Sequence, residues 1–433
     1  MAPEPGGVAP GLIEHPLRRQ VVGEMQLRRS PTYTLPARII QIVRIVEDRK
    51  AESVALASLW PDLDPAARHA QRHLGDHASF GWERHSEAST VTLVLTGDDG
   101  PLDWNPPAEA ALIEGLPGGV VRASRMMLVV DDTAAEPCIA SAGFAPVQLV
   151  TCHVRSPSGG RARLWTDFRI HDDGYGRMVV AANGMPLADL GRCVQRIEEL
   201  GNYRNLALIG LPEARGAWSE LDGLEAELEQ VGQALAQGKS RDDILLASLT
   251  GLSARLLSID SRCSYRMSAT AAYARIVAKR LEQLDADPIP GYQSLADFTE
   301  RRFQPAIHTC AALTARLALL NARATQFTAL LRTRIETHIE NQNARLLISM
   351  DSSVRMQLRL QHLVEGLSSV AISYYLLGLI AYPLRAAEKH WPALEVTLLE
   401  GLLAPVIIVV LILSMRLARH RLVLDDKPPH SRP

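Results

Sequence analysis

The chain has 433 residues, 47% of them hydrophobic, with 46 basic against 48 acidic side chains and a formal charge of -2. That is apolar material for more than one ordinary domain, and without a basic excess there is no sequence-wide electrostatic reason to expect nucleic acid as a partner. Cys138, Cys152, Cys193, Cys263 and Cys310 are odd in number, widely spaced and free of any CxxC pair, which argues against a disulfide framework or a zinc knuckle and for a reducing compartment.

Met1 to Gly11 is rich in Pro, Gly and Ala and lacks the basic start and apolar run of a secretory signal, so residues 1–14 are expected to be a disordered tail. Residues 15–205 have the texture of a cytoplasmic α/β domain, with short Val, Ile, Leu and Thr runs between Gly, Pro and Asp clusters. Strands are predicted over 37–46, 89–95, 126–130 and 147–154. Leu164, Thr166, Phe168 and Ile170 alternate with Trp165, Asp167, Arg169 and His171; a turn at Asp172, Asp173 and Gly174 then predicts a hairpin into 175–181. Helices are predicted over 65–74 and 187–203.

An enzyme would have to place its chemistry in this domain. No GxSxG, Walker A, HExxH or GxGxxG pattern with a ribose acid occurs, so neither an enzyme nor a cofactor is expected. His69, His73 and His77, His85 with Glu87, and His171 with Asp172 and Asp173 are the nearest approaches to ligand sets. Each is better explained as solvent-exposed or as a turn tip, and no metal site is assigned.

Residues 206–305 are predicted to be a helical hairpin. Its first helix runs from Glu213 to Gln237 and stops at Gly238, and its second is opened by Ser240 with Asp243 and extends to about Leu284. Asp287, Pro288, Pro290 and Gly291 break the chain, and Ser294 with Asp297 repeats the capping pattern. From Ala306 to Glu365 neither Gly nor Pro occurs, a stalk of about 60 residues and roughly 90 Å. Leu313, Leu317, Leu320, Ala324, Phe327 and Leu331 step by four and three, a coiled-coil seam that predicts a homo-oligomer unless the upstream hairpin covers it.

Hydrophobicity is then concentrated in two blocks, Leu367 to Leu384 and Gly401 to Met415, neither holding a charge. With their flanks they approach the roughly 20 residues that cross about 30 Å of hydrocarbon, so residues 366–416 are predicted to be a two-helix transmembrane hairpin. Pro383 would end the first helix. Arg355 and Arg359 before the hairpin and Arg416, Arg419 and Arg421 after it predict cytoplasmic ends in an inner membrane, with 417–433 a basic, disordered tail. The fold class is therefore α+β: an α/β domain, a helical hairpin, a coiled-coil stalk and a membrane hairpin.

The segments His15 to Arg18, Gly81 to Glu87, Trp165 to Arg177, Leu330 to Met350 and Gln357 to Leu379 resemble the signature blocks of an uncharacterised bacterial family of predicted membrane-anchored proteins, a domain of unknown function of the 3422 type. The family's early N-E-V-H-A-R-P block is replaced here by Gly23 to Arg29. The order of elements also resembles CorA-type magnesium channels, which implies pentamers whose first membrane helices line a pore. Ile380 to Pro383 stand where that family carries Gly-Met-Asn, so magnesium specificity is not implied.

Glu365, Ser369 and Ser373, spaced by four, share one face of the first membrane helix and form a candidate pore lining or packing face. Glu388, Glu395 and Glu400 form a candidate acidic mouth. Three functions follow: a membrane-anchored scaffold or sensor of an unknown ligand or protein partner, a CorA-like cation channel, or a membrane-tethered enzyme, with the first favoured because anchoring demands no special residue. The lipid bilayer is a partner in all three.

Overall fold

The computed structural model describes residues 15–19, 21–22, 33–64, 67–97, 103–238, 240–388 and 396–425. The predicted N-terminal tail, the Gly23 to Arg29 block and Glu395 lie outside them. The chain divides into two compact units, Met1–Ala329 and Leu330–Pro433.

Among the described residues of the first unit nine strands form one sheet. They are β1 (Ala37–Ile45), β2 (His69–Leu74), β3 (Ala78–Arg84), β4 (Ala88–Thr96), β5 (Gly119–Val129), β6 (Val150–Arg155), β7 (Arg161–Thr166), β8 (Gly176–Ala181) and β9 (Ala286–Pro288). Their order is β2-β3-β4-β1-β5-β8-β7-β6-β9, and β5 with β8 is the parallel pair. Central β1, ARIIQIVRI, is buried along nearly its whole length because both faces are covered. Ile39 and Val43 join one core with Met126, Leu128, Leu164 and Val180, while Ile40 and Ile42 join another with Phe80, Trp82 and Leu93.

The helices follow from this two-sided demand. Helix α1 (Arg49–Leu59), capped by Asp48 accepting from the amides of Lys50 and Ala51, and α2 (Ala110–Glu114) bring Leu56 and Ile113 into the second core. Helix α3 (Asp132–Ser141) supplies Ala135 and Cys138 to a third cluster with Met127 and Trp165. The first core is closed by α4 (Leu187–Leu208), through Leu190, Val194, Ile197 and Leu200, and by α6 (Asp242–Leu284), through Tyr273 and Val277. Between them runs α5 (Gly210–Gln237), which ends as expected on Gly238 at φ 67°, the left-handed conformation glycine adopts without steric cost. Ser294 and Asp297 form the expected capping box at the start of α7 (Leu295–Arg302). Helix α8 (Gln304–Glu388) and helix α9 (Val396–Asp425) complete the order.

Several expectations are corrected. Residues 69–74 form β2 rather than a helix; Gly75 at φ 71° turns the chain so that Leu74 opposes Ala78, and the alternation of Ala70, Arg72 and Leu74 serves a strand. The predicted turn at 172–174 forms, with the Gly174 amide donating to the His171 carbonyl at 2.8 Å, but the strand expected to run into it does not: β7 and β8 part after the Thr166–Met178 pair, and residues 167–175 form a connection outside the sheet. Asp167 explains why, since its buried carboxylate accepts from the amides of Ala145 and Arg169 and ties the chain down where the strand would have continued. Helix α6 begins at Asp242 with Arg241 at its N-cap and no side-chain cap, so Ser240 does not open it. The break at Asp287 and Pro288 contains a short edge strand, β9, where a proline is tolerated. Pro383 lies inside α8 and does not end it, because a proline removes one hydrogen bond and the rest of the helix continues.

The coiled-coil seam has a partner in its own chain. Leu313, Leu317, Leu320 and Ala324 are buried within the first unit. Phe327 stands against Gly232 of α5, and Arg316 donates Nε to Glu225 at 3.0 Å while pairing with Asp222 at 2.7 Å. The upstream hairpin thus takes the stripe predicted for a second copy.

Candidate functional site

Two places hold functional geometry, one in each unit. In the second unit the predicted face of α8 is brought together: Glu365 and Ser369 are half-buried and Ser373 is 6% exposed. Ser369 Oγ donates to the carbonyl of Glu365 at 2.9 Å, and Ser373 Oγ to that of Ser369 at 2.7 Å. A hydroxyl bonded back to the preceding turn satisfies itself inside an apolar helix. The surrounding polarity is inverted relative to a soluble hairpin. Leu367, Tyr374 and Tyr382 are 79%, 75% and 78% exposed, and Leu402, Val409 and Val410 of α9 also face outward, while Ser373 and Ile407 are buried.

The acidic mouth is only partly assembled. Glu400 pairs with Arg385 at 3.3 Å, joining the end of α8 to the start of α9. Glu388 lies in the last turn of α8.

Among the described residues two helical stretches are long and apolar enough to cross a membrane, Asp242–Leu284 and Leu295–Ala386, and Glu400–Ser414 is a shorter apolar stretch. The first is α6, whose apolar side (Leu245, Leu249, Leu252, Leu256, Ile259) is buried in the first unit. Its other side pairs Arg255 with Glu227 and Arg262 with Glu220, charges that belong in water. The second takes in the predicted block of α8.

The second place is a cavity of about 330 Å³ in the first unit, beneath α4 at the start of the parallel strands β5 and β8. Arg122, Arg169, Arg177 and Arg204 stand in its wall, which among the described residues holds no carboxylate. Arg122, from β5, donates Nη1 to Asn202 at 2.8 Å and to Gln41 at 3.0 Å and is paired with Glu198 behind the wall. It reaches them because Gly201 has no side chain; a β-carbon there would come within 2.6 Å of Arg122 Nε. Arg177, from β8, donates Nη2 to Asp173 at 2.9 Å and Nη1 to the Ala142 carbonyl at 2.9 Å. Arg204, from α4, has its guanidinium carbon 4.3 Å from the Phe168 ring centre, and Phe168 is stacked on Phe298 at 4.3 Å. Phe168 adopts φ 52°, a left-handed conformation that costs a non-glycine residue of order 1–3 kcal/mol and clusters at functional sites. Burial, with Arg122 nearby, pulls Arg204 down to about 10.

The histidine candidates do not converge. His69 and His73 lie on β2 and His77 in the turn beyond it; His85 bonds Thr90 at 3.1 Å, Glu87 pairs with Arg266, and His171 lies 3.3 Å from Asp167. Among the described residues no three His, Cys, Asp or Glu side chains are grouped to hold a metal ion. Sequence reading missed the cavity because its arginines come from β5, the β7–β8 connection, β8 and α4. The local signal was Phe168, Arg169 and Arg177, all three inside the family-like WTDFRIHDDGYGR block.

The family model described as protein of unknown function (DUF3422) matches residues 13–422, nearly the whole chain. The chain belongs to that family. No curated protein matches it.

Proposed function

We propose that this family member is a membrane-anchored, non-catalytic scaffold or sensor. Its C-terminal hairpin crosses the inner membrane twice, and the first unit and both chain ends lie in the cytoplasm. One observation carries the reading: along 367–384 and in α9 the large apolar and aromatic side chains point outward while a serine is buried. In water that arrangement exposes a continuous apolar surface far beyond the scattered residues a soluble protein tolerates. In a bilayer it is the expected one, because lipid tails accept leucine and valine and small polar residues serve helix packing. Arg355 and Arg359 ahead of the hairpin set its orientation.

The channel alternative draws less support. Ser369 and Ser373 satisfy their hydroxyls within α8, as packing serines do, and Glu400 is engaged by Arg385 rather than held for a cation. With Leu313 to Ala324 covered by the upstream hairpin, self-association falls to the exposed residues Leu346, Met350, Val354 and Leu358, which advance by four. The anchor is tested by washing membranes that contain the full chain with alkaline carbonate. The chain stays in the pellet if the hairpin spans the bilayer, and complete release contradicts the reading.

A further inference from the structure

We infer that the arginine-lined cavity beneath α4 is a binding site for a small organic oxyanion, a carboxylate or phosphate carried on an apolar body. The inference goes beyond the anchoring proposal and stands or falls separately from it.

The electrostatics select an anion. Two of the four arginines in the wall, Arg122 and Arg177, are neutralised from behind by Glu198 and Asp173. Arg204 and Arg169 have no carboxylate partner among the described residues, and Arg204 Nη1 is buried without a hydrogen-bond partner. A buried charged donor left unsatisfied is a cost that folding alone gives no reason to retain. The depressed affinity of Arg204 for its proton reflects the same cost, since burial and a neighbouring guanidinium both disfavour the charge. An oxyanion in the cavity relieves both: it supplies the missing acceptor and screens Arg204 from Arg122.

The rest of the wall selects the body of the ligand. Val121, Met178, Ile197, Leu200 and Leu295 face the space with Phe168. An apolar lining with a few convergent polar groups, in a volume at the lower end of the roughly 300–1,000 Å³ usual for ligand pockets, fits a small molecule rather than a polymer. The Arg204 guanidinium carbon lies 4.3 Å from the Phe168 ring centre and 5.8 Å from that of Phe298, so the stacked pair positions the guanidinium before any ligand arrives.

The test is calorimetric titration of the full chain in zwitterionic-lipid nanodiscs with phenyl phosphate, benzoate and uncharged benzamide. Saturable binding of at least one anion, about tenfold or more tighter than benzamide, is expected, and the preferred anion identifies the head group. Arg204→Met should weaken binding about tenfold or more while thermal unfolding stays cooperative. Should that variant fail to fold, Arg169→Gln decides, because the residue is exposed and its loss should still weaken the anion several-fold without changing the response to benzamide. Absence of saturable binding by both anions, or equal binding to wild type and to folded arginine variants, overturns the site. A chain that behaves so yet stays in the bilayer leaves the anchor intact.

Discussion

Phe327 of the long helix occupies the place where a β-carbon on Gly232 would stand, 2.8 Å from its ring. Aromatic ring and bare helix backbone are packed as a pair, which is how α8 sits close on α5 and why the heptad stripe is consumed inside one chain. Phe327→Ala should therefore destabilise the first unit by about 1–3 kcal/mol, less than a fully buried phenylalanine because Phe327 is half-buried. The thermal midpoint should fall. Cysteine placed at Leu320 should give no cross-link between subunits in membranes, and an efficient cross-link would show that the seam opens to a second copy.

The pair of Arg122 with Glu198 sets a second expectation. Glu198 is buried and Arg122 half-buried, and Ser124 Oγ also donates to Glu198 at 3.3 Å. Glu198→Ala would leave Arg122 uncompensated beside Arg204, at a cost of about 3–5 kcal/mol, whereas Glu198→Gln keeps an acceptor and should cost less. Denaturant midpoints of the two variants check the order. Equal loss in both would mean that the retained acceptor contributes nothing and that the charge alone holds Arg122.

Buried protons make the first unit alkali-sensitive. Burial pushes Cys152 up to about 11, Cys193 to about 12, and Tyr175 and Tyr273 each to about 12. Their unfolded counterparts release protons from about pH 9 to 10. Above that range the unfolded chain binds fewer protons than the folded one, so stability is fully present below about pH 9 and falls as pH rises toward 12. Arg204, pulled down to about 10, and Arg44, lowered by burial, act in the opposite direction, and two groups do not offset four. Thermal midpoints measured from pH 7 to 11 should decline steeply above 9; a flat profile would contradict the burial of these thiols and phenols.

Ser373 and Tyr374 are adjacent in sequence and differ from 6% to 75% in exposure, which fixes the packing face of α8. Ser373→Leu adds bulk to the packed side and should cost about 1–3 kcal/mol by overpacking. Tyr374→Leu changes only the outward surface and should leave the hairpin's stability nearly unchanged. Resistance to detergent-induced unfolding separates the two, and an equal effect would mean that the face is misassigned.

The helical parts were legible because their signals are local. Gly238 and the Ser294–Asp297 box each lie within a few turns of what they specify. The 69–74 strand was misread because three histidines at intervals of four fit a helix as well as alternate positions along a strand, and only pairing with 78–84 decides between them. The 167–175 connection escaped because Asp167 acts through the amide of Ala145, 22 residues away. The cavity was illegible for the same reason on a larger scale: Arg122 and Asn202 are 80 residues apart and meet only once β5 lies under α4. The two apolar blocks needed no tertiary knowledge, since solvent preference is a property of composition.

The central claim is that 366–416 forms a hairpin crossing the membrane with its connection outside and its flanks inside. It is tested most directly by single-cysteine labelling in intact cells, where the five native cysteines are buried and give little background. A membrane-impermeant maleimide should label Lys389→Cys in whole cells and Ser352→Cys only after lysis. Labelling of Ser352→Cys in intact cells, or protection of both sites until lysis, would contradict the topology.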